Sequence, residues 1–205
     1  MLVLNDLYTP ELPEWTYLQS DGSDGKGPAD WIFPGLLFIT GMAIPLSIGK
    51  RISNGEDNFT IARHIVVRSI SLLIIGILML NTERVNPEFT GMGKNLWTIL
   101  MFTGVFLVWN KYQETGDNFF TIQGLRLVGM ALLVALVFKF RSGEFENNGS
   151  LITGSWGFPG LIGWGYLVAA FLYLASRDNI INIVVAFFFF LIMNILTKLD
   201  LLNYI

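Results

Sequence analysis

An all-α transmembrane bundle is the fold class that this 205-residue chain predicts, and two observations carry the prediction. Six long apolar stretches run at about 31–49, 64–81, 95–110, 122–140, 157–176 and 179–197. The chain is also 53% hydrophobic and only 14% charged, with a mean hydropathy of +0.55, whereas a soluble domain carries about a quarter charged residues. Each stretch reaches or approaches the ~20 residues that cross a ~30 Å hydrocarbon core. Backbone N–H and C=O groups find no water there, so such stretches must be helices that satisfy their own hydrogen bonds. The expected organisation is an extracytoplasmic segment at 1–30 and a domain of about six membrane-spanning helices at 31–205.

The elements follow in order. Residues 5–30 are polar and acidic, with Pro10, Pro13 and Pro28 among Asp6, Glu11, Glu14, Asp21 and Asp24. Trp15 and Tyr17 stand among them, as aromatics do at a membrane–water interface. Asp30 opens the first span as an N-cap or first-turn acid. Pro34 is expected in that first turn, and Pro45 is expected to bend or end the helix. The second span starts near His64 and carries Arg68 one turn in. The fourth carries Arg126 in its first turns. The fifth begins with Gly157, Gly160 and Gly163, a spacing that permits close approach by a neighbouring helix. The sixth contains four consecutive phenylalanines at 187–190 and Asn194.

Basic residues are shared almost evenly between the two sets of loops, seven against six, so the positive-inside rule decides little. The local contrast is stronger. An acidic segment precedes the first span and Lys50-Arg51 follow it, which puts 1–30 outside the cytoplasm.

Several function classes are excluded. The net charge of −3 leaves no basic surface for nucleic acid. The chain has no cysteine, so it has no disulfide or zinc–thiolate site, and a lone histidine cannot make a multi-histidine metal site. Asp21-Gly-Ser-Asp24 starts like a calcium loop, but Ile32 stands where that loop needs its glutamate. No ionisable residue is expected deep in a span, which argues against ion-coupled transport.

Two constellations remain. His64 and Arg68 are four residues apart and share a helix face at a membrane boundary. They fit either a grip on the anionic part of a nucleotide cofactor or an arginine snorkelling to the interface. Arg126 presents the same pair of readings. Outside, Trp15, Asp21, Asp24, Asp30 and Trp31 fit either a sugar pocket, with carboxylates on hydroxyls and rings on apolar sugar faces, or a solvated loop with an aromatic belt.

Four segments carry a resemblance: DWIFPGLLFITGMAIP at 30–45, HIVVRSISLLIIGILMLN at 64–81, LRLVG at 125–129 and WGFPGLIGWGY at 156–166. Together they are similar to the heparan-α-glucosaminide N-acetyltransferase-like membrane proteins, especially their bacterial members. The first block is the most specific. The resemblance implies transfer of an acetyl group from cytosolic acetyl-CoA to an amino sugar across the membrane, and a bacterial cytoplasmic membrane as the location. LVLND at 2–6 is similar to the end of the family's preceding helix, so the resemblance implies a chain shortened at both ends. It gives Asn5 and Asp30 the catalytic positions, and on that reading the anion site of His64, Arg68 and Arg126 is where acyl-CoA is expected. The family's outer-loop histidine has no counterpart, Leu18 being nearest, because no histidine precedes His64. The alternative is a non-catalytic membrane protein that binds a glycan or lipid, or serves in an envelope assembly. The expected partners are the bilayer, an amino-sugar acceptor and a second copy of the chain.

Overall fold

The computed structural model describes residues 28–112, 119–142, 149, 151–154, 156–176 and 179–199. The described residues are helical apart from short connections and one isolated bridge between Val85 and Ser142. In order they form α1 (Pro28–Ser53), α2 (Asn58–Asn81), a 3₁₀ turn (Thr82–Arg84), α3 (Pro87–Thr90), α4 (Lys94–Trp109), α5 (Phe119–Lys139), α6 (Gly157–Ser176) and α7 (Ile180–Lys198). Five helices (α1, α2, α5, α6 and α7) are long and apolar enough to cross a membrane. The 16 residues of α4 extend about 24 Å, short of the hydrocarbon thickness. The protein is an all-α, multi-pass membrane protein.

The first two helices differ from expectation at their ends. Because α1 starts at Pro28, Pro34 falls in the second turn rather than the first, and the helix passes Pro45 to end at Ser53. Helix α2 begins at Asn58, six residues before His64. The reason is local. Asp57 precedes the helix and its carboxylate accepts from the Thr60 hydroxyl at 2.5 Å, so a capped first turn forms ahead of His64. The link back to α1 is tight, with Gly55 at φ 81 and Arg51 paired to Glu56 at 2.9 Å.

The chain forms two compact units, one of residues up to Ile70 together with Ile162–Ile205, the other Ser71–Leu161. In the first unit Ile44 and Ile48 of α1, Ile61 and Ile65 of α2, and Tyr166 and Ala170 of α6 make one buried cluster. Their spacing by three or four residues on each helix sets one stripe per helix against the others.

In the second unit, Trp97 and Met101 of α4 are fully buried with Leu78, Leu133, Leu136 and Phe140. The Trp97 and Phe140 rings meet edge to face, 5.9 Å between centroids. Gly104 and Gly129 bring α4 and α5 together, since a Cβ on either would stand 2.8 Å from a leucine on the other helix. Gly76 of α2 lies against the start of α6, where a Cβ would overlap the Trp156 carbonyl and stand 2.8 Å from the Gly160 Cα. Gly160 thus takes the close approach that its glycine spacing predicts. Trp156 and Gly157, at φ 55 and φ 64, turn the chain into α6 here, and tryptophan at positive φ is strained.

Polar side chains then tie the loops of this unit. Asn81, fully buried at the end of α2, donates to the Ile152 carbonyl at 2.9 Å and accepts from the Ile152 N–H at 2.9 Å. Thr90 donates to the Arg141 carbonyl at 3.1 Å. Lys94 pairs with Glu83.

Candidate functional site

The later start of α2 changes the place of its charges. Arg68 becomes the eleventh residue of a 24-residue helix, about 15 Å from its beginning. His64 lies one turn earlier. Hydropathy placed the start of this helix near His64, and the six residues from Asn58 to Arg63 lie ahead of it in the same helix. An arginine inside a membrane-spanning helix is costly where it meets hydrocarbon, which makes Arg68 a candidate functional group.

The partner of Arg68 is an aromatic face. Its guanidinium carbon stands 5.0 Å from the ring centroid of Tyr166, a residue 7% exposed and tenth in α6. The ring quadrupole attracts the cation. Tyr166 packs in one buried cluster with Ile61, Ile65 and Ala170. The Ser69 hydroxyl, buried beside Arg68, is satisfied within α2 by the Ile65 carbonyl at 2.9 Å. A cation fixed over a ring at mid-helix, with its own side chain exposed and an exposed imidazole one turn away, can receive an anionic group.

The other predicted positions are distributed as follows. Arg126, eighth in α5, lies 5.9 Å above the ring of Tyr112, whose hydroxyl donates to the Leu107 carbonyl at 3.1 Å. It belongs to the second unit, and His64 and Arg68 to the first. Trp31, 66% exposed, and Asp30 lie in the first turn of α1. Asn5, Trp15, Asp21 and Asp24 lie outside the described residues.

Sequence reasoning passed over Tyr166, although Arg68 and Tyr166 both fall in the quoted family-like segments. It also missed two cavities, because neither has a linear signature. One, of about 280 Å³, is walled in the first unit by Gly41 and Pro45 of α1, Ala169 and Tyr173 of α6, and Ala186 and Phe187 of α7, with their neighbours. The other, of about 370 Å³, is lined in the second unit by Met79, Glu83, Phe158 and Pro159 with their neighbours. Among the described residues no three His, Cys, Asp or Glu side chains gather as a metal site would require.

A multi-pass helical membrane protein with a mid-helix arginine on an aromatic face is the class that this architecture defines. The family described as Domain of unknown function (DUF5009) matches residues 7–190, and the chain belongs to it. Over 115 residues, 56% of the chain, it is 29% identical to the Heparan-alpha-glucosaminide N-acetyltransferase of Homo sapiens. That match covers 16% of the human protein, so the chain spans far less than two thirds of this relative. No solved structure matches the chain.

Proposed function

We propose that this protein is a membrane acyltransferase that takes an acyl group from acyl-CoA at His64 and Arg68 and delivers it to an amino sugar on the other face. The observation that carries the reading is Arg68, a cation halfway along a spanning helix and seated on Tyr166. Such a group is stable in a bilayer when water or an anion reaches it, and the phosphates of coenzyme A are anions of that kind. The similarity to an N-acetyltransferase supplies the reaction type. Acetyl-CoA is the donor that this similarity suggests.

In the transfer, the acceptor nitrogen attacks the thioester carbonyl, the C–S bond breaks, and coenzyme A leaves as a thiol with the proton that the nitrogen gives up. Asn5 and Asp30 are the residues proposed to orient the acceptor, with the Asp30 carboxylate taking that proton from the nitrogen and passing it to the departing sulfur. A carboxylate does so near neutrality only where burial raises its pKa. Trp15, Asp21, Asp24 and Trp31 are the proposed sugar contacts. The cell envelope of a bacterium, with 1–30 facing outward from the cytoplasmic membrane, is the proposed setting.

A second reading, binding of a glycan or lipid without turnover, is favoured by one observation: the single histidine stands at position 64 and none precedes it. Proteoliposomes separate the two. With labelled acetyl-CoA or a longer acyl-CoA inside and glucosamine outside, label should reach the sugar faster than in empty vesicles. Sugar binding by folded protein with no label transferred would establish the second reading instead.

A further inference from the structure

The phosphates of the donor can be told apart. We infer that Arg63 receives the 3′-phosphate of coenzyme A while His64 and Arg68 take its diphosphate, so that Arg63 selects coenzyme A over the form lacking that phosphate. The inference rests on the acyl-CoA reading and specifies the nucleotide that this site accepts.

The three cations form one patch. Arg63, His64, Val67 and Arg68 are all exposed, and as two adjacent pairs four residues apart they neighbour one another on the surface of α2. The buried side of the helix is the other one, where Ile61, Ile65 and Ser69 lie.

Nothing beside the patch balances its charge. Two acids stand in the link ahead of it, and both are engaged. Glu56 pairs with Arg51 at 2.9 Å, and Asp57 accepts from the Thr60 hydroxyl at 2.5 Å. Among the described residues no carboxylate pairs with Arg63 or Arg68. Two arginines and a histidine suit a ligand with more than one anionic group. Coenzyme A is such a ligand: a phosphomonoester carries about −1.5 to −2 charge at pH 7, and each phosphorus of its diphosphate bears a further anionic oxygen.

Spacing and surroundings decide which arginine takes which group. Arg63 precedes Arg68 by five residues, about 7.5 Å of rise along the axis. In coenzyme A the ribose ring separates the 3′-phosphate from the diphosphate on the 5′ side, so two cations one and a half turns apart can each meet one. Arg68 is the deeper of the two and is fixed over the Tyr166 ring, 5.0 Å from its centroid. Arg63 has neither a ring nor an acid as partner among the described residues and lies nearer the charged link at 54–57. The adenosine end, which carries the most charge, therefore stays on the water side at Arg63. The uncharged pantetheine arm then leaves the diphosphate toward the interior.

The test measures binding of coenzyme A and dephospho-coenzyme A to the whole chain in phosphatidylcholine nanodiscs, with empty discs subtracted. Coenzyme A should bind about ten times more tightly, the worth of one charge-assisted contact. Arg63→Gln should bring coenzyme A down to the level of the dephospho form and leave the dephospho form unchanged. Arg63→Lys keeps a point charge without the planar fork and should retain part of the preference. Arg68→Gln should weaken both compounds alike and keep their ratio. Thermal unfolding checks that each variant is folded. Equal affinity for the two compounds overturns the inference alone, and so does a preference that survives Arg63→Gln or a loss there that both compounds share. If neither compound binds above empty discs, the donor reading itself falls.

Discussion

In the second unit glycines bring backbones together and polar side chains tie the loops; in the first, branched aliphatic side chains fill the spaces between helices. Gly76, Gly104 and Gly129 admit no Cβ without a clash, whereas Gly41 in the first unit has open space beside it. The second unit shows Asn81, Thr90 and Ser142 buried, with Asn81 and Thr90 bonded to distant backbone. The first carries an exposed arginine seated on the buried Tyr166 ring. Close backbone packing and satisfied polar groups make a rigid body, and sites that bind come from surfaces left incomplete. The contrast is one of packing: glycine contacts and polar ties hold the second unit, and aliphatic stripes hold the first.

The largest effect is expected at Gly76. Gly76→Ala puts a methyl into the Trp156 carbonyl, a backbone atom that cannot step aside, and should cost about 3 kcal/mol. Gly41→Ala adds the same methyl to α1, where nothing stands within 4 Å, and should leave stability unchanged. Thermal unfolding of both in one detergent decides the matter. Equal losses would dissolve the distinction between the units.

Asn81→Ala comes next. It removes both bonds to Ile152 and leaves a buried N–H and carbonyl without that partner, at a cost of about 1–3 kcal/mol. Hydrogen exchange should rise at Ile152 first. No change there would mean that the 151–153 segment is held by packing alone.

Arg68→Gln is expected to act on ligand binding and not on stability. Losing one charge-assisted contact to a phosphate weakens coenzyme A binding by about ten-fold or more. The unfolding temperature should hold or rise, because a charge leaves the middle of a spanning helix. A marked fall in stability with unchanged binding would make Arg68 part of the scaffold.

Much of this was legible in the residues. The third to sixth spans, expected at 95–110, 122–140, 157–176 and 179–197, lie within three residues of α4, α5, α6 and α7 at both ends, because an apolar run bounded by polar residues has one reading in lipid. The start of α2 was not read, since Asn58, Thr60 and Arg63 interrupt the apolar residues there and hydropathy does not register a capped first turn. The place of Arg68 as the eleventh helical residue was missed with it. Helix α3 had a local signature in Asn86-Pro87 and Gly91: Asn86 accepts from the Glu88 N–H at 3.0 Å, and Gly91 ends the helix at φ 71. The tie between Asn81 and Ile152 joins residues 71 apart, and no period or motif links them. The cavity is likewise a product of three helices meeting.

The smallest effect tests the cap that sets where α2 begins. The Thr60 hydroxyl holds the Asp57 carboxyl below its ordinary value of 3.8, with backbone N–H groups at the helix start adding to it. A carboxyl with a lowered pKa in the folded state stabilises above its unfolded pKa, and that contribution is lost as pH falls through the folded value. The window thus lies below about pH 4, and the exposure of Asp57 keeps the effect slight. Thr60→Val should move the Asp57 midpoint up toward 3.8, read by carboxyl-carbon NMR across that range. Amide exchange should quicken at residues 58–61 and stay unchanged from Arg68 onward. A midpoint that does not move would pass the role of Thr60 to the backbone N–H groups, and protection lost as far as Arg68 would show that this one cap governs the depth of the charge.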